Sequence, residues 1–110
     1  MGIVIEGEQY TVSGKVVNKA GSRLEGFKVE LFDKDFIGDH DYLGTAISDA
    51  SGAFVISFKT SDFKEWIFDR RPDLYFEVYD GTQQVHSTEN EVIKNATSSA
   101  EEIVLPVQVP

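Results

Sequence analysis

At 110 residues the chain suits one domain built on one hydrophobic core and leaves little room for a second. The absence of cysteine excludes disulfide staples and thiolate metal sites. Nineteen acidic residues against ten basic ones leave a net charge of −9, which opposes nucleic acid or any other phosphate-backbone partner.

Residues 1–9 read as a loose N-terminal extension. Met1 to Glu6 lack the basic and apolar zones of a signal peptide. From there the hydrophobic period is two. Tyr10, Val12, Gly14 and Val16 alternate with Thr11, Ser13 and Lys15, the pattern of a strand with one buried face. Lys19-Ala20-Gly21-Ser22 carries turn chemistry. Phe27, Val29 and Leu31 then alternate with Lys28 and Glu30, and a shorter strand is expected over Tyr42–Ile47. Asp49-Ala50-Ser51-Gly52 follows as a turn, and a hairpin is the natural reading there. Phe54, Ile56 and Phe58 form the next alternating set.

Ser61 to Phe68 departs from the pattern. Asp62 can cap a helix, Glu65 can reach back to it, and Phe63, Trp66 and Ile67 share one face at helical spacing. Pro72 prevents continuation far beyond Phe68. A short helix is therefore expected, its aromatic face closing one side of the core. Leu74, Phe76 and Val78 resume the strand period, Asp80-Gly81-Thr82 turns, and Gln83–Ser87 is a further short strand. After a polar loop at Asn95 to Ser99, Ile103, Leu105, Val107 and Val109 close the chain, with Pro106 demanding an edge position or a bulge. About seven strands so spaced predict an all-β, immunoglobulin-like or prealbumin-like β-sandwich with one short helix between strands, filling residues 1–110 as one domain. No run approaches the ~20 apolar residues that a membrane-spanning helix needs. A soluble chain is expected, with no compartment assigned.

Val12-Ser13-Gly14-Lys15-Val16-Val17, Leu24-Glu25-Gly26-Phe27-Lys28-Val29, and Ser48-Asp49 with Gly52-Ala53-Phe54 occur in that order. This succession resembles the transthyretin-like, or carboxypeptidase regulatory-like, β-sandwich, in the variant found as an accessory domain of larger bacterial proteins. The resemblance implies a non-catalytic module that presents loops or edge strands to a protein partner or to a neighbouring domain, and it brings no shared ligand. An enzyme of that superfamily hydrolyses hydroxyisourate. It uses histidines near its first strand and a Tyr-Arg-Gly-Ser tail. Here the histidines are His40 and His86 and the chain ends Leu105-Pro106-Val107-Gln108-Val109-Pro110. A small hydrolase is thus the remote alternative.

The densest chemical signal is the stretch from Asp33 to Gly44. Calcium takes six to eight oxygen ligands, and Asp33, Asp35 and Asp41 crowd carboxylates into one loop. Their spacing resembles one ligand loop of the calcium-dependent phospholipid-binding domains of the protein kinase C type, although no second acidic loop accompanies it near Gly21 to Gly26. Asp80 ends the Leu74-Phe76-Val78 stripe as Asp33 ends the Phe27-Val29-Leu31 stripe. The four carboxylates would converge if both strand ends lay at the same end of the sandwich. Calcium binding through Asp33, Asp35, Asp41 and Asp80 is the second functional expectation. The plainer alternative is that Asp33 and Asp35 accept backbone N–H bonds or pair with Lys34 or an arginine. Arg70 and Arg71 could grip a carboxylate or phosphate, or lock the helix exit onto the next strand. Neither His40 nor His86 has a nucleophile beside it in sequence, and a monomer is the expected state.

Overall fold

The computed structural model describes residues 2–34, 40–59 and 71–108. The described residues form eight strands: β1 (Ile3–Glu6), β2 (Gln9–Val17), β3 (Lys28–Asp33), β4 (Asp41–Ile47), β5 (Ala53–Lys59), β6 (Leu74–Asp80), β7 (Gln83–Ser87) and β8 (Ile103–Pro106). They build the expected β-sandwich of two four-stranded sheets. The helix expected over Ser61–Phe68 lies outside the described residues.

β2 organises the first sheet. One side of it pairs with β5 along nearly its whole length, Gln9↔Lys59 through Lys15↔Ala53. The other side is shared: β1 takes Gln9–Val12, and β8, running parallel, takes Gly14–Val17. Gly14 stands where one neighbour gives way to the other. A Cβ at this position would run into the Ile103 carbonyl oxygen and approach the Phe54 ring at 2.8 Å, so only glycine lets β8 close against β2. Pro106 ends β8, which pairs only with β2 among the described residues, and so meets the expected edge position.

The second sheet runs β4-β3-β6-β7, antiparallel throughout. Asp80-Gly81-Thr82-Gln83 makes the expected tight turn from β6 to β7, with Gly81 at φ 65°. Between the sheets lie the side chains singled out by their alternation. Tyr10, Val12, Val16, Phe54, Ile56, Phe58 and Leu105 meet Val29, Leu31, Leu43, Leu74, Phe76 and Val78 in one core. Phe54 packs edge-on against Phe76 across the layers at 5.7 Å, and Tyr10 stacks on Phe58 at 4.9 Å. Burying each large side chain contributes roughly 1.5–3 kcal/mol.

Two expectations require correction. Residues 3–6, read as part of a loose extension, are strand β1. A two-residue turn at Gly7-Glu8 folds it back onto β2, and Ile3 is buried in the core. Ile3-Val4-Ile5 is too short to show a period, but its β-branched residues suit a pleated, half-buried surface. The Asp49–Gly52 turn forms as its chemistry demands. Asp49 Oδ1 accepts hydrogen bonds from Ser51 N at 2.8 Å and Ala53 N at 2.9 Å, and Gly52 has φ 75°. It is nevertheless not a hairpin, because β4 pairs with β3 and β5 with β2. It is an arch between the sheets. Ser48, buried, holds one foot: its amide donates to Phe27 O at 2.9 Å and its hydroxyl to Leu24 O at 2.7 Å. At the other foot Gly52 O accepts from Val16 N at 2.8 Å. Local chemistry reverses the chain, whereas contacts distant in sequence choose the sheet.

Candidate functional site

The residues of the acidic stretch meet the rest of the fold at one corner of the second sheet. β3 ends there at Asp33, which lies opposite Asp41 of β4 on one side and Leu74 of β6 on the other. Asp33 is fully buried, and its Oδ1 accepts a hydrogen bond from Asp73 N at 2.9 Å. Asp73 passes the connection on: its Oδ1 accepts from Asn95 N at 2.9 Å, and its carbonyl accepts from Lys34 N at 2.8 Å. The Lys34 ammonium donates to Glu89 O at 2.9 Å. A carboxylate out of water is costly unless hydrogen-bonded, so Asp33 earns its place as a clasp that ties β3 to the entry of β6. This matches the plainer expectation that Asp33 accepts a backbone N–H, and this donor lies forty residues away.

An aromatic and imidazole group lies on the outer side of the same corner. Phe32 stacks on Tyr75 at 5.1 Å and meets Tyr42 edge-on at 5.8 Å. Tyr75 is only 4% exposed although it faces away from the core. His40 crosses its ring edge-on at 5.3 Å, and His40 Nδ1 is 2.6 Å from the Tyr75 hydroxyl and 4.0 Å from Glu89 Oε2. Burial first, then the charges of Glu89 and Glu77, pushes the Tyr75 hydroxyl up to about 12. The phenol therefore keeps its proton at neutral pH and is a poor nucleophile. What the corner can do is hydrogen-bond and stack.

The four proposed calcium ligands are not gathered into one place. Asp33 and Asp41 are brought side by side, Asp35 lies outside the described residues, and Asp80 is elsewhere. β3 and β6 are antiparallel, so Asp33 sits at the start of β6 while Asp80 is at its far end, six residues or roughly 20 Å away. Matching stripes with a terminal carboxylate say nothing about relative strand direction. Among the described residues no three His, Asp or Glu side chains are grouped to hold a metal ion. Arg71 is exposed, and Arg70 lies outside the described residues. His86 is opposite Val78 on β7, and burial lowers its pKa.

Sequence reading missed a second polar group, on the outer face of the second sheet. Tyr79 donates to Glu77 Oε1 at 2.8 Å, and Lys28 lies 4.9 Å above the Tyr79 ring and 3.6 Å from Glu30 Oε2. The bond to Glu77, aided by burial, pushes the Tyr79 hydroxyl up to about 12. The only sequence signal for it was Glu77-Val78-Tyr79, two residues apart and hence on one strand face. The exposed large apolar side chains among the described residues are Tyr42 and Ile47 on β4, Val55 on β5 and Val104 on β8. All four are on strands at a sheet edge.

No protein-family model matches the chain, and no curated protein is a significant match. Two solved structures share its fold. A 9R-lipoxygenase from Cyanothece PCC8801 aligns over 100% of this chain with a TM-score of 0.59 and 22% identity. The chain spans only 18% of that protein's length. The dioxygenase domain of a dioxygenase–carbohydrate-binding protein fusion from Streptomyces sp. SirexAA-E aligns over 96% of this chain and 82% of its own, with a TM-score of 0.53 and 15% identity. At these identities the likeness speaks for the fold.

Proposed function

We propose that the chain is a non-catalytic recognition module of the transthyretin-like, carboxypeptidase regulatory-like kind, which presents its edge strands to a partner protein or to the rest of a larger protein. Support comes from where the side chains are committed. The polar groups of the corner hold the frame together: Asp33 with Asp73, Lys34 with Glu89 O, and His40 with Tyr75. Among the described residues, the large apolar side chains left open to solvent are on edge strands, where a partner can reach them. A fold of this size occupying 18% of a lipoxygenase is compatible with an accessory role. The test is to incubate the purified chain with hydroxyisourate and with simple ester and amide substrates, in calcium and in chelator. No turnover above the uncatalysed rate is expected, and turnover in either condition overturns the reading.

Calcium binding is the second reading, favoured by the cross-strand pairing of Asp33 with Asp41. With Asp80 at the far end of β6, it rests on the Asp33–Asp41 stretch alone. Calorimetric titration with calcium decides it: heat of binding lost in the Asp35→Asn, Asp41→Asn double variant supports it, and a flat titration ends it.

A further inference from the structure

β7 is an edge strand with an irregular grip on its neighbour. Ser87 and His86 lie opposite Glu77 and Val78 of β6, but Gln84 rather than Val85 lies opposite Tyr79, so Val85 is an extra residue. A bulge of this kind interrupts the ladder and bends the strand. The tie from β7 to the first sheet falls on the same residue. Val107 N donates to Val17 O at 2.9 Å, and the next amide, that of Gln108, donates to Val85 O at 3.4 Å, a long bond. Val85 packs against the core and Val107 is fully buried in it. Residues 107–108 thus bridge the two sheets at the bulge.

His86 stands beside this point. One row of side chains across the second sheet runs Ala46, Val29, Val78, His86. Val29 and Val78 are fully buried, so the row puts an imidazole on the core-facing side of β7, where it is half-buried. A neutral imidazole tolerates that place, whereas an imidazolium gives up water that its apolar neighbours do not replace. Burial accordingly lowers the His86 pKa from its ordinary 6.5, and the charge of Glu91, in the loop after β7, opposes the shift. β6 brings no carboxylate to this side: Glu77 and Tyr79, which flank Val78, lie on the outer face and bond to each other. Gln108, on the bridging segment, is uncharged. Both ends of β7 are better fixed than its middle. Thr88, just past the strand, donates its amide to Phe76 O at 2.9 Å and accepts at Oγ1 from Phe76 N at 2.8 Å, and the turn at Gly81 holds the other end.

We propose that the middle of β7 is an acid-sensitive latch: protonation of His86 favours a form in which Gln84–His86 lift from β6 and the tie from Gln108 to Val85 opens, while the other strands stay paired. The edge of β6 at Val78 and Tyr79 is what this form uncovers. In a chain of net charge −9, acid relieves self-repulsion throughout, so a loss confined to β7 runs against the general trend. The latch goes beyond the recognition reading and does not rest on it.

The test follows amide hydrogen exchange of the whole chain by NMR at roughly pH 7.5 and 5.5, corrected for the intrinsic pH dependence of exchange, together with the imidazole shifts of His86 and His40. Protection of the amides in Gln83–Ser87 is expected to fall about threefold or more at the lower pH, with a midpoint that follows His86, while β2 and β5 keep theirs. In His86→Gln the β7 protection should be the same at both pH values. Glu91→Gln, which removes the opposing attraction, should move the midpoint to lower pH. A fall shared by all strands, no fall at β7, a response that survives in His86→Gln, or a His86 that titrates at or above 6.5 overturns the proposal. Should the His86 variant fail to fold, the parent chain still decides: a midpoint that follows His40 in place of His86 overturns the proposal as well.

Discussion

Asp33 shows how a single buried carboxylate serves the frame. Its bond to Asp73 N links two strands that meet only through the fold. Asp33→Ala leaves that amide without an acceptor, and an expected loss of about 1–3 kcal/mol is measurable as a lowered urea midpoint. Asp33→Asn keeps an oxygen acceptor at the same place and should cost less. Tyr75 and Tyr79 bring a dependence at alkaline pH. Both hydroxyls titrate near 12 in the folded chain, against 10.0 when free, so the folded state holds protons that the unfolded chain has released. Their contribution is complete below pH 10, and stability falls as pH rises from there towards 12. Unfolding curves for Tyr75→Phe and Tyr79→Phe should show a shallower decline over that window than the parent chain. His86 acts at the other limb: its folded pKa is lowered, so its contribution is present above about 6.5 and is lost as pH falls. None of these partners was legible beforehand except Tyr79 with Glu77, because the others lie 35 or 40 residues apart.

At the scale of the elements, alternation located the strands and their inward faces with little error. Phe54, Ile56, Phe58, Leu74, Phe76 and Val78 all point into the core as read. Phe54→Ala or Phe76→Ala should cost on the order of 3–5 kcal/mol, because each removes one ring of the pair that joins the layers. Gly14→Ala tests the divided edge of β2. The added methyl meets backbone of β8 that cannot turn aside, so a loss of about 1–3 kcal/mol is expected, with amides of Ile103–Pro106 losing exchange protection before those of β5. Tyr75 marks the limit of a two-residue period. It stands on the outer face, yet Phe32 and His40 cover it, because an aromatic ring is removed from water by neighbours on its own face as well as by the core. The arch at Asp49–Gly52 marks another limit, since a reversal and a hairpin demand the same turn residues.

Over the whole molecule, the recognition reading expects thermal unfolding in chelator to coincide with that in calcium, since the frame is held by the core and by hydrogen bonds among its own groups. A calcium-dependent rise in melting temperature would instead favour the Asp33–Asp41 reading. From the sequence by itself came the sandwich class, the inward-facing side chains, the turn positions and the net charge of −9. These follow from local periodicity, backbone preference and simple counting, which require no knowledge of what each strand touches. Tertiary structure alone decided that β1 joins the sheet, that β4 and β5 part company at the arch, and that antiparallel pairing sends Asp80 away from Asp33. The reason is that strand partners and directions are chosen by burial and hydrogen bonding between segments tens of residues apart, for which no short motif carries the information.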